Sequence, residues 1–571
     1  MNNKWIVKTL TKEQIEIQES LSKELSISPI LTGLLVDRGI TTFEEARNFF
    51  RPNLKLLHDP FLMADMDKAT NRLTEAIHNN EKILVYGDYD VDGTTSVSLV
   101  YKFIKKFYSN VDFYIPDRYI EGYGISFQGI NHAISNGFKL VIALDCGIKA
   151  VEKIKYANEN NVDFIICDHH TPDNILPAAI AVLDPKRDDC NYPYKHLSGC
   201  GVGFKLLQAF SIKNGIALDE LTSMLDLVAL SIASDIVPIT DENRILAYYG
   251  LEQLNTNPSV GVKSILTVCG LNDKTITISD IVFKVGPRIN ASGRMKQATE
   301  VVELLVSNDT SFSKLKSDTI NEYNNERKDL DKKITEEAIS LIASDKSFDV
   351  RKSIVIYKPD WHKGVIGIVA SRLSEEFYKP SIVLTYSNEK VSGSARSVSG
   401  FDIYSAIESC RDLLENFGGH RYAAGLTLKE ENVVEFSQRF EAYVASNITE
   451  EQTFPQINID ALIDFKDITP KFFSVLKQFG PFGPGNMKPL FATNQVRDYG
   501  SSRLVGKDQE HLKLELVDSS SENVMNGIAF GMYEHNDHLK SLKPLDICYT
   551  LEENTFNNVT NIQLMIKDIK V

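Results

Sequence analysis

The fold is decided by residues 82–96, which read KILVYGDYDVDGTTS. A short apolar run is followed by a glycine and then by three aspartates, Asp88, Asp90 and Asp92. An apolar run of this length, with no alternation of polar residues, is typical of a strand buried inside a parallel sheet. The stretch therefore predicts a buried strand that leads through an acidic loop into a helix.

Three later stretches follow the same pattern. They read KLVIALDCG at 139–147, DFIICDHH at 163–170 and AIAVLDP at 179–185. Each apolar run ends in a polar or acidic residue, and helical stretches separate the runs. This alternation predicts a parallel sheet with helices on each side.

The acidic loop is the strongest functional signal in the sequence. Three carboxylates this close together repel one another unless a cation neutralises them. A calcium loop of the D-x-D-x-D-G type needs a glutamate at its twelfth position and an entering helix, but Leu99 stands there and a strand enters. A solvated acidic turn is the other alternative, although the buried strand aims the loop at the edge where parallel sheets bind ligands. We therefore expect a metal site.

Other candidate ligands follow the neighbouring strands. Asp145 closes one run and Asp168-His169-His170 closes the next. Since the carboxyl ends of parallel strands meet at one edge, these side chains are expected to approach the acidic loop. Asp145 alone could equally be a helix cap, and Asp235, which follows LDLVALSIAS, could be a cap or a turn residue.

Composition divides the 571 residues into five predicted segments. A helical and mixed region at 1–75 precedes an α/β domain at 76–300. Residues 301–345 contain no glycine or proline and predict a long polar connecting helix. A second α/β domain is expected at 346–450, and the short β-like runs of 451–571 suit a small barrel.

Bulk properties narrow the class of protein. The net charge of −15 leaves nucleic-acid binding undecided, because a local basic groove beside metal-neutralised carboxylates gives the same total. Seven scattered cysteines without a C-x-x-C pair indicate reduced thiols rather than disulfides or a zinc ribbon. No apolar run approaches the roughly 18 residues of a membrane span. We expect a cytoplasmic monomer that does not associate with membranes.

Four motifs carry a family resemblance. GDYDVDG, LDCG, CDHH and ASDIVP match, in order, the motifs of the DHH phosphoesterase family. Within that family the chain resembles the RecJ exonucleases, through IPDRYIEGYG at 115–124, GPRINASGR at 286–294, HKGVIGIVASRL at 362–373, GSARS at 393–397 and GGHRYAAG at 418–425. The resemblance implies an α/β protein with a parallel-sheet DHH catalytic domain, a long connecting helix, a second α/β (DHH-associated) domain and a C-terminal OB-fold β-barrel.

The resemblance also implies two divalent metal ions, Mn²⁺ or Mg²⁺. Oxygen ligands with one imidazole suit both ions and favour Mn²⁺. By resemblance, Asp90 and Asp145 hold one ion, and Asp92, Asp145, His169 and Asp235 hold the other. Asp88 either completes the first site or orients a water. Where many members of the DHH family have a histidine ligand, this chain has Tyr86.

Several residues are expected to contact the substrate near the metals. His170 resembles a phosphate contact, although a structural histidine is the alternative. Arg288 and Asn290, in GPRIN, are expected to face the scissile phosphate; a surface ion pair is the alternative for Arg288. Tyr123, between two glycines, could stack a base or serve only as a turn residue.

A second group of residues is expected to recognise the end of the strand. Arg118, Ser394 and Arg396 resemble a pocket for a terminal 5′-phosphate, since arginine offers phosphate a pair of parallel donors. In the DHH-associated domain, Gly418, Gly419 and His420 resemble a nucleotide-contacting motif. The glycine pair could equally serve a tight turn.

These features predict a single-stranded-DNA-specific exonuclease that degrades from the 5′ end and acts in DNA repair and recombination. The first alternative is a small-substrate member of the DHH family: an oligoribonuclease, a cyclic-dinucleotide phosphodiesterase or a pyrophosphatase. The second is an inactive DNA-binding scaffold, which loss of the motif carboxylates would mark. Besides single-stranded DNA, the resemblance suggests a single-strand-binding protein and a RecQ-type helicase as partners.

Overall fold

The computed structural model describes residues 3–387, 389–520, 523–557 and 559–571. The chain forms two compact units. The larger unit contains residues 7–293, 297–320 and 458–571, and the smaller unit contains the segment that ends at Ile6 together with residues 294–296 and 321–457.

The described residues of 4–78 include one short strand and four α-helices, with two 3₁₀ turns at Leu54–Leu56 and Pro60–Leu62. The strand and the α-helices are β1 (Lys4–Val7), α1 (Lys12–Leu25), α2 (Pro29–Asp37), α3 (Phe43–Phe50) and α4 (Met66–His78). Helix α1 begins with a capping box made by Thr11 and Gln14, and α3 begins with one made by Thr42 and Glu45. Each box satisfies two backbone N–H groups that the first turn leaves unpaired.

A five-stranded parallel sheet follows, as the sequence predicts. Its strands are β2 (Lys82–Gly87), β3 (Val111–Tyr114), β4 (Phe138–Leu144), β5 (Asp163–Cys167) and β6 (Ala181–Leu183), in the order β3-β2-β4-β5-β6. All of its pairings are parallel, so the strands end at the same edge. Loops that carry the acidic motifs leave from this edge.

The helices of this domain pack on the two faces of the sheet or on one another. They are α5 (Val91–Lys105), α6 (Phe127–Ser135), α7 (Val151–Glu159), α8 (Gly199–Asn214), α9 (Asp219–Thr222), α10 (Leu225–Ser234), α11 (Asp241–Thr256), α12 (Val260–Val268), α13 (Ile278–Asp280), α14 (Gly286–Met295) and α15 (Thr299–Val306), with a π-helix at Ile281–Val285. Ile83 and Val85 of β2 pack in one core with α5, α8 and α10. Leu84 and Tyr86 pack in the other core with α6 and α7.

The smaller unit contains a mixed sheet, in agreement with a second α/β domain. Its elements are the greater part of α16 (Thr310–Ser344), then β7 (Ile354–Tyr357), α17 (Ile366–Phe377), β8 (Ser381–Ser387), β9 (Lys390–Arg396), α18 (Ile403–Glu408), β10 (Leu414–His420), β11 (Ala423–Leu428) and α19 (Val433–Asn447). The order is β10-β11-β9-β8-β7, with β7 and β8 parallel and the other pairs antiparallel.

The C-terminal residues form an antiparallel-rich sheet rather than a closed barrel. The elements are β12 (Gln456–Ile459), β13 (Ala461–Leu462), α20 (Pro470–Lys477), β14 (Phe491–Asp498), β15 (Arg503–Val505), β16 (His511–Val517), β17 (Met525–Ala529), α21 (Asn536–Lys540), β18 (Leu545–Phe556) and β19 (Val559–Lys570). The sheet order is β13-β14-β18-β19-β17-β16-β15. β14 also pairs with β16, but only through Arg497 with Val517 and Asp498 with Leu516. The sheet is therefore not closed into the barrel that the sequence predicts.

The N-terminal helices and the C-terminal sheet share one hydrophobic core. Leu31, Leu34 and Ala46 of α2 and α3 pack in the same cluster as Phe491 and Ile547 of the sheet. Residues more than 400 positions apart therefore complete one core. Within the described ranges, no helix has both the length and the apolar character that crossing a bilayer requires.

Candidate metal centre

Strand ends and one helix end bring the candidate ligands together. Asp145 follows β4, His169 follows β5 and Asp235 ends α10, while Asp92 lies in the first turn of α5. His169 Nε2 lies 3.1 Å from Asp145 Oδ1, 3.6 Å from Asp235 Oδ2 and 3.7 Å from Asp92 Oδ2. Three carboxylates thus surround one imidazole nitrogen.

Several buried polar atoms of this cluster have no hydrogen-bond partner among the described residues. They are Asp88 Oδ2, Asp145 Oδ1 and both ring nitrogens of His169. The 3.1 Å approach of His169 to Asp145 is therefore not aligned as a hydrogen bond. Native proteins rarely leave buried polar atoms unsatisfied, because each costs free energy. Carboxylate oxygens with an imidazole are a donor set that suits Mn²⁺, and the residues therefore fit a divalent ion.

Potential ligand atoms fall into two overlapping groups. Asp92, His169 and Asp235 offer atoms within 4.8 Å of one another, and so do Asp145, His169 and His170. The remaining acids, Asp88 and Asp90, lie in the loop between β2 and α5, where Asp90 caps α5 by accepting from Gly93 N at 3.0 Å.

Electrostatics also favours a cation here. Burial, and then the charges of neighbouring carboxylates, raises the pKa values of Asp88, Asp90 and Asp145. The same causes raise the pKa of Asp235 to about 8. Ionised carboxylates at this density are unfavourable without a positive charge between them.

Asp168 orients the two histidines. It accepts from His169 N at 2.7 Å, from His170 Nδ1 at 2.8 Å and from Ile148 N at 2.9 Å. Although burial opposes it, the hydrogen bond and charge of His170 lower the pKa of Asp168 to about 2. Asp168 in turn raises the pKa of His170 against the effect of burial. Asp168 therefore favours the protonated, positively charged form of His170.

Tyr123 contacts His170, and the centroids of the two rings lie 5.9 Å apart in an edge-to-face arrangement. Its hydroxyl donates to the carbonyl of Asp145 at 3.1 Å and lies 3.3 Å from His170 Nε2. The residue is 52% exposed, so it keeps a free surface although its hydroxyl is bound. In the same loop, Gly124 N donates to Asp88 Oδ1 at 3.2 Å, and Arg118 lies 4.8 Å above the ring of Tyr89.

Tyr86 packs on the face of the sheet that α6 and α7 cover, whereas α5, which carries Asp92, packs on the other face. Its hydroxyl donates to the carbonyl of Gly124 at 3.0 Å and accepts from Ser126 N at 3.2 Å, while its ring stacks on Tyr114. Tyr86 thus holds the loop that contains Tyr123 and Gly124. It therefore supports the loop beside the candidate metal centre.

Sequence reasoning missed the residues that hold Asp92. Its Oδ2 accepts from Gly199 N at 2.6 Å, and its Oδ1 accepts from Cys200 N at 2.8 Å and from Ser231 Oγ at 2.7 Å. The glycine-rich stretch SGCGVG at 198–203 is the one local signal that could have indicated a close approach here.

Arg288 and Asn290 lie on α14, where Arg288 Nη1 donates to the carbonyl of Lys284 at 2.7 Å. Residues two apart point to different sides of a helix, so the two side chains do not share one face. Further along α14, a Cβ added at Gly293 would lie 2.8 Å from the carbonyl oxygen of Tyr89. The GPRINASGR helix therefore packs against the acidic loop.

In the smaller unit, Ser394 and Arg396 are neighbours on β9. Arg396 Nη1 lies 3.1 Å from Ser394 Oγ and donates to the carbonyl of Ala395 at 2.7 Å. Gly367, in the first turn of α17, packs against both, since an added Cβ would lie 2.9 Å from Ser394 Oγ. Burial lowers the pKa of Arg396, and among the described residues no carboxylate pairs with it. Arg118, which the sequence analysis groups with Ser394 and Arg396, belongs to the larger unit.

Gly418, Gly419 and His420 form the exposed end of β10, opposite Gly425, Ala424 and Ala423 of β11. Gly419 has a φ of 146°, and an added Cβ would lie 2.4 Å from the carbonyl oxygen of Ala423. A glycine is therefore required at this position for the hairpin itself.

Three family descriptions match the chain. The "DHH family, N-terminal domain" matches residues 82–232, the "DHHA1 domain" matches residues 351–446 and the "RecJ OB domain" matches residues 459–568. Together with the metal centre, these matches define the class as a DHH-type phosphoesterase.

Relatives along the whole chain define the family more closely. The single-stranded-DNA-specific exonuclease RecJ of Bacillus subtilis (strain 168) is 38% identical over 571 residues, which are 100% of this chain and 71% of that protein. The protein of the same name from Haemophilus influenzae is 31% identical over 99% of both chains. The crystal structure of RecJ in complex with Mn²⁺ from Thermus thermophilus superimposes with a TM-score of 0.85 at 25% identity, covering 100% of this chain and 79% of that one. The chain belongs to the RecJ family.

Proposed function

We propose that this protein is a metal-dependent exonuclease that hydrolyses phosphodiester bonds of single-stranded DNA, starting from the 5′ end. The observation that carries the proposal is the convergence of Asp92, Asp145 and Asp235 on His169, with buried atoms left unsatisfied. The RecJ family relationship supplies the class of substrate. The small-substrate alternative is less well supported, because the relatives named single-stranded-DNA-specific exonuclease align along the full chain.

We assign the metal ligands as two sets that share Asp145. Asp90 and Asp145 belong to one set, and Asp92, Asp145, His169 and Asp235 belong to the other. Two bound divalent ions would activate a water for attack and stabilise the departing oxygen. Asp88, whose Oδ2 is buried and unsatisfied, either completes the first set or orients a water.

His170 and Arg288 are assigned to the reacting phosphate. Because Asp168 raises the pKa of His170, this histidine can present a positive charge at the edge of the centre. Arg288 is assigned to the scissile phosphate, and the packing of α14 against the acidic loop supports that placement. Asn290 points to another side of α14 and is assigned to a separate contact with the substrate. The exposed ring of Tyr123 is assigned to base stacking.

For the smaller unit, we assign recognition of the terminal 5′-phosphate to Ser394 and Arg396. Arg396 is a partly buried guanidinium whose hydrogen-bond partners are neutral, and such a charge favours an anionic ligand. The first turn of α17 beside it adds backbone N–H groups that suit phosphate. Arg118 is assigned to phosphate within the larger unit, and Gly418, Gly419 and His420 are assigned to nucleotide contact.

The inactive-scaffold alternative conflicts with the presence of all motif carboxylates and with the convergence of Asp92, Asp145 and Asp235 on His169. We further propose, from the family relationship, that the protein acts as a cytoplasmic monomer in DNA repair and recombination. Its proposed partners are a single-strand-binding protein and a RecQ-type helicase that supplies unwound strands.

The proposal is tested by incubating the purified protein with Mn²⁺ and single strands labelled at either end. We expect a 5′ label to be released as a small product at the first turnovers, while a 3′ label stays on shortening strands. Blunt duplex of the same sequence should resist degradation. Early release of the 3′ label would overturn the polarity, and equal digestion of duplex would overturn the strand specificity.

A further inference from the structure

The carboxylate of Asp92 is held by three donors that come from two other helices. Two are backbone N–H groups of the first turn of α8, from Gly199 at 2.6 Å and Cys200 at 2.8 Å. The third is the Ser231 hydroxyl of α10 at 2.7 Å. The first-turn N–H groups of a helix lack intrahelical partners and suit an anion. Asp92 is 2% exposed, so these donors replace water around its charge.

A count of protons fixes the direction of the hydroxyl bonds. Ser231 Oγ lies 2.7 Å from Asp92 Oδ1 and 2.6 Å from Ser198 Oγ, but it has a single proton. Ser198 Oγ already accepts from Gly201 N at 3.1 Å. An ionised carboxylate can only accept, so the Ser198 hydroxyl donates to Ser231 and the Ser231 hydroxyl donates to Asp92.

Ser231 departs from what serines in helices usually do. A helical serine or threonine commonly donates to the carbonyl four residues earlier. On α5, Thr95 donates to Val91 O at 2.7 Å and Ser98 donates to Thr94 O at 2.7 Å in this way. Ser231 instead donates across to another helix, to a candidate metal ligand.

Ser231 also lies one turn before a second candidate ligand. Asp235 ends α10, and its backbone N donates to the carbonyl of Ser231 at 2.9 Å. Asp92 Oδ2 and Asp235 Oδ2 flank His169 Nε2 at 3.7 and 3.6 Å. The end of α10 therefore contributes one carboxylate of this set and the hydrogen bond that orients another.

The start of α8 has no room to shift. A Cβ added at Gly199 would lie 2.6 Å from Asp145 Cβ and 2.8 Å from Asp145 Oδ1. The helix start is therefore packed against Asp145 while its N–H groups hold Asp92. A glycine at this position allows one helix end to contact both carboxylates.

We propose that Ser231, supported by Ser198, is a positioning residue that fixes the Asp92 carboxylate for metal binding. The inference rests on the proposed ligand set of Asp92, His169 and Asp235. With Oδ1 held by Ser231 and Cys200, the Asp92 side chain keeps Oδ2 towards His169 before any ion arrives. Groups that orient ligands in this way typically change metal affinity by about 10–100-fold when they are removed.

The test is Mn²⁺ binding to the metal-free full-length protein, measured by isothermal titration and by the electron paramagnetic resonance signal of free Mn²⁺. For Ser231→Ala, we expect the dissociation constant of one class of site to rise by about 10-fold or more. The KM for DNA should stay unchanged, and kcat should recover as Mn²⁺ is raised. Ser98→Ala is the matched control, since Ser98 is also a buried helical serine but its hydroxyl donates within its own helix.

Identical Mn²⁺ titrations for Ser231→Ala and the wild type would overturn the inference, and so would an equal loss in Ser98→Ala. If Ser231→Ala does not fold by circular dichroism, Ser198→Ala is titrated instead, because it removes the hydroxyl that donates to Ser231. Ser198 also caps α8, so the free energy of unfolding of this variant should fall as well. If the wild-type protein itself binds no Mn²⁺, the proposed ligand set is wrong. If the wild type binds Mn²⁺ and Ser231→Ala binds it equally well, only the role of Ser231 is wrong.

Discussion

The larger unit contains two buried clusters of charged side chains that differ in how their polar atoms are satisfied. In the first cluster, Lys205 and Glu242 are fully buried and 2.9 Å apart. Lys205 Nζ also donates to the carbonyl of His58 at 2.7 Å, and Glu242 accepts from His58 N at 2.9 Å and from the Tyr192 hydroxyl at 2.6 Å. One positive and one negative charge therefore satisfy each other with nearby polar groups.

The candidate metal centre, in contrast, has an excess of negative charge and, among the described residues, polar atoms without hydrogen-bond partners. It gathers several carboxylates around His169, and Asp145 Oδ1 and both ring nitrogens of His169 lack hydrogen-bond partners in the described part of the chain. The comparison teaches that burial and charge alone do not mark a functional site. A structural cluster is neutral and complete, whereas a binding cluster has an excess of one charge and is completed by its ligand.

The largest expected effect comes from Asp145→Asn. Asparagine tolerates the left-handed φ of 58° at this position, so the change removes the charge without new backbone strain. Because Asp145 is shared by both proposed ligand sets, we expect kcat with Mn²⁺ to fall by about 1000-fold. The free energy of unfolding of the metal-free protein should stay equal or increase, since one of several like charges is gone. Near-normal turnover would contradict the shared role.

Glu242→Ala should show the reverse pattern. It leaves Lys205 buried without its partner, and we expect the free energy of unfolding to fall by about 3–5 kcal/mol. Mn²⁺ affinity of the folded protein should stay unchanged. Urea titration measures the first quantity and isothermal titration the second. The double change Lys205→Met with Glu242→Leu should restore much of the free energy of unfolding. A loss of Mn²⁺ affinity in Glu242→Ala would contradict the view that this cluster is structural and the other binds metal.

Arg396 extends the comparison to the smaller unit, because it is a partly buried cation with neutral hydrogen-bond partners. We expect strands with a 5′-phosphate to be cleaved faster than strands with a 5′-hydroxyl, and Arg396→Ala to remove about 1.5–3 kcal/mol of that preference. The two proteins and two substrates form a double-mutant cycle. Arg439→Ala is the control, since its surface ion pair with Asp412 should contribute little. Equal losses on both substrates would show that Arg396 does not bind the terminal phosphate.

The smallest expected effect is a pH dependence of metal binding. The pKa of Asp235 is raised to about 8, above the value of about 3.9 in an unfolded chain. Its protonated form therefore stabilises the metal-free fold at low pH, and this stability is lost as the pH rises through about 8. Mn²⁺ needs the ionised form, so apparent affinity should rise by up to about tenfold per pH unit between about pH 6 and about pH 8. Isothermal titration with Mn²⁺ at each pH measures this affinity directly. Asp235→Asn should flatten the dependence of the affinity on pH, and an unchanged dependence in that variant would assign the proton elsewhere.

Much of the centre could be predicted from the sequence, because strand ends in a parallel sheet meet at one edge. Asp92, Asp145 and His169 each follow a recognisable strand, and the structure brings them together with Asp235. Tyr86 could not be placed in this way. All residues of a fully buried strand are apolar, so the sequence does not tell which face of the sheet a given side chain occupies.

The sequence by itself determined the parallel sheet, the acidic loop and the identity of the candidate ligands, since these follow from local pattern and strand period. Only the tertiary structure decided which groups orient them. Ser231 lies 139 residues from Asp92, and Gly199 meets Asp145 only because α8 packs at the end of β4. The shared core of the N-terminal helices and the C-terminal sheet is likewise a tertiary outcome. Such contacts depend on how whole helices and sheets pack, and no local pattern of residues encodes that packing.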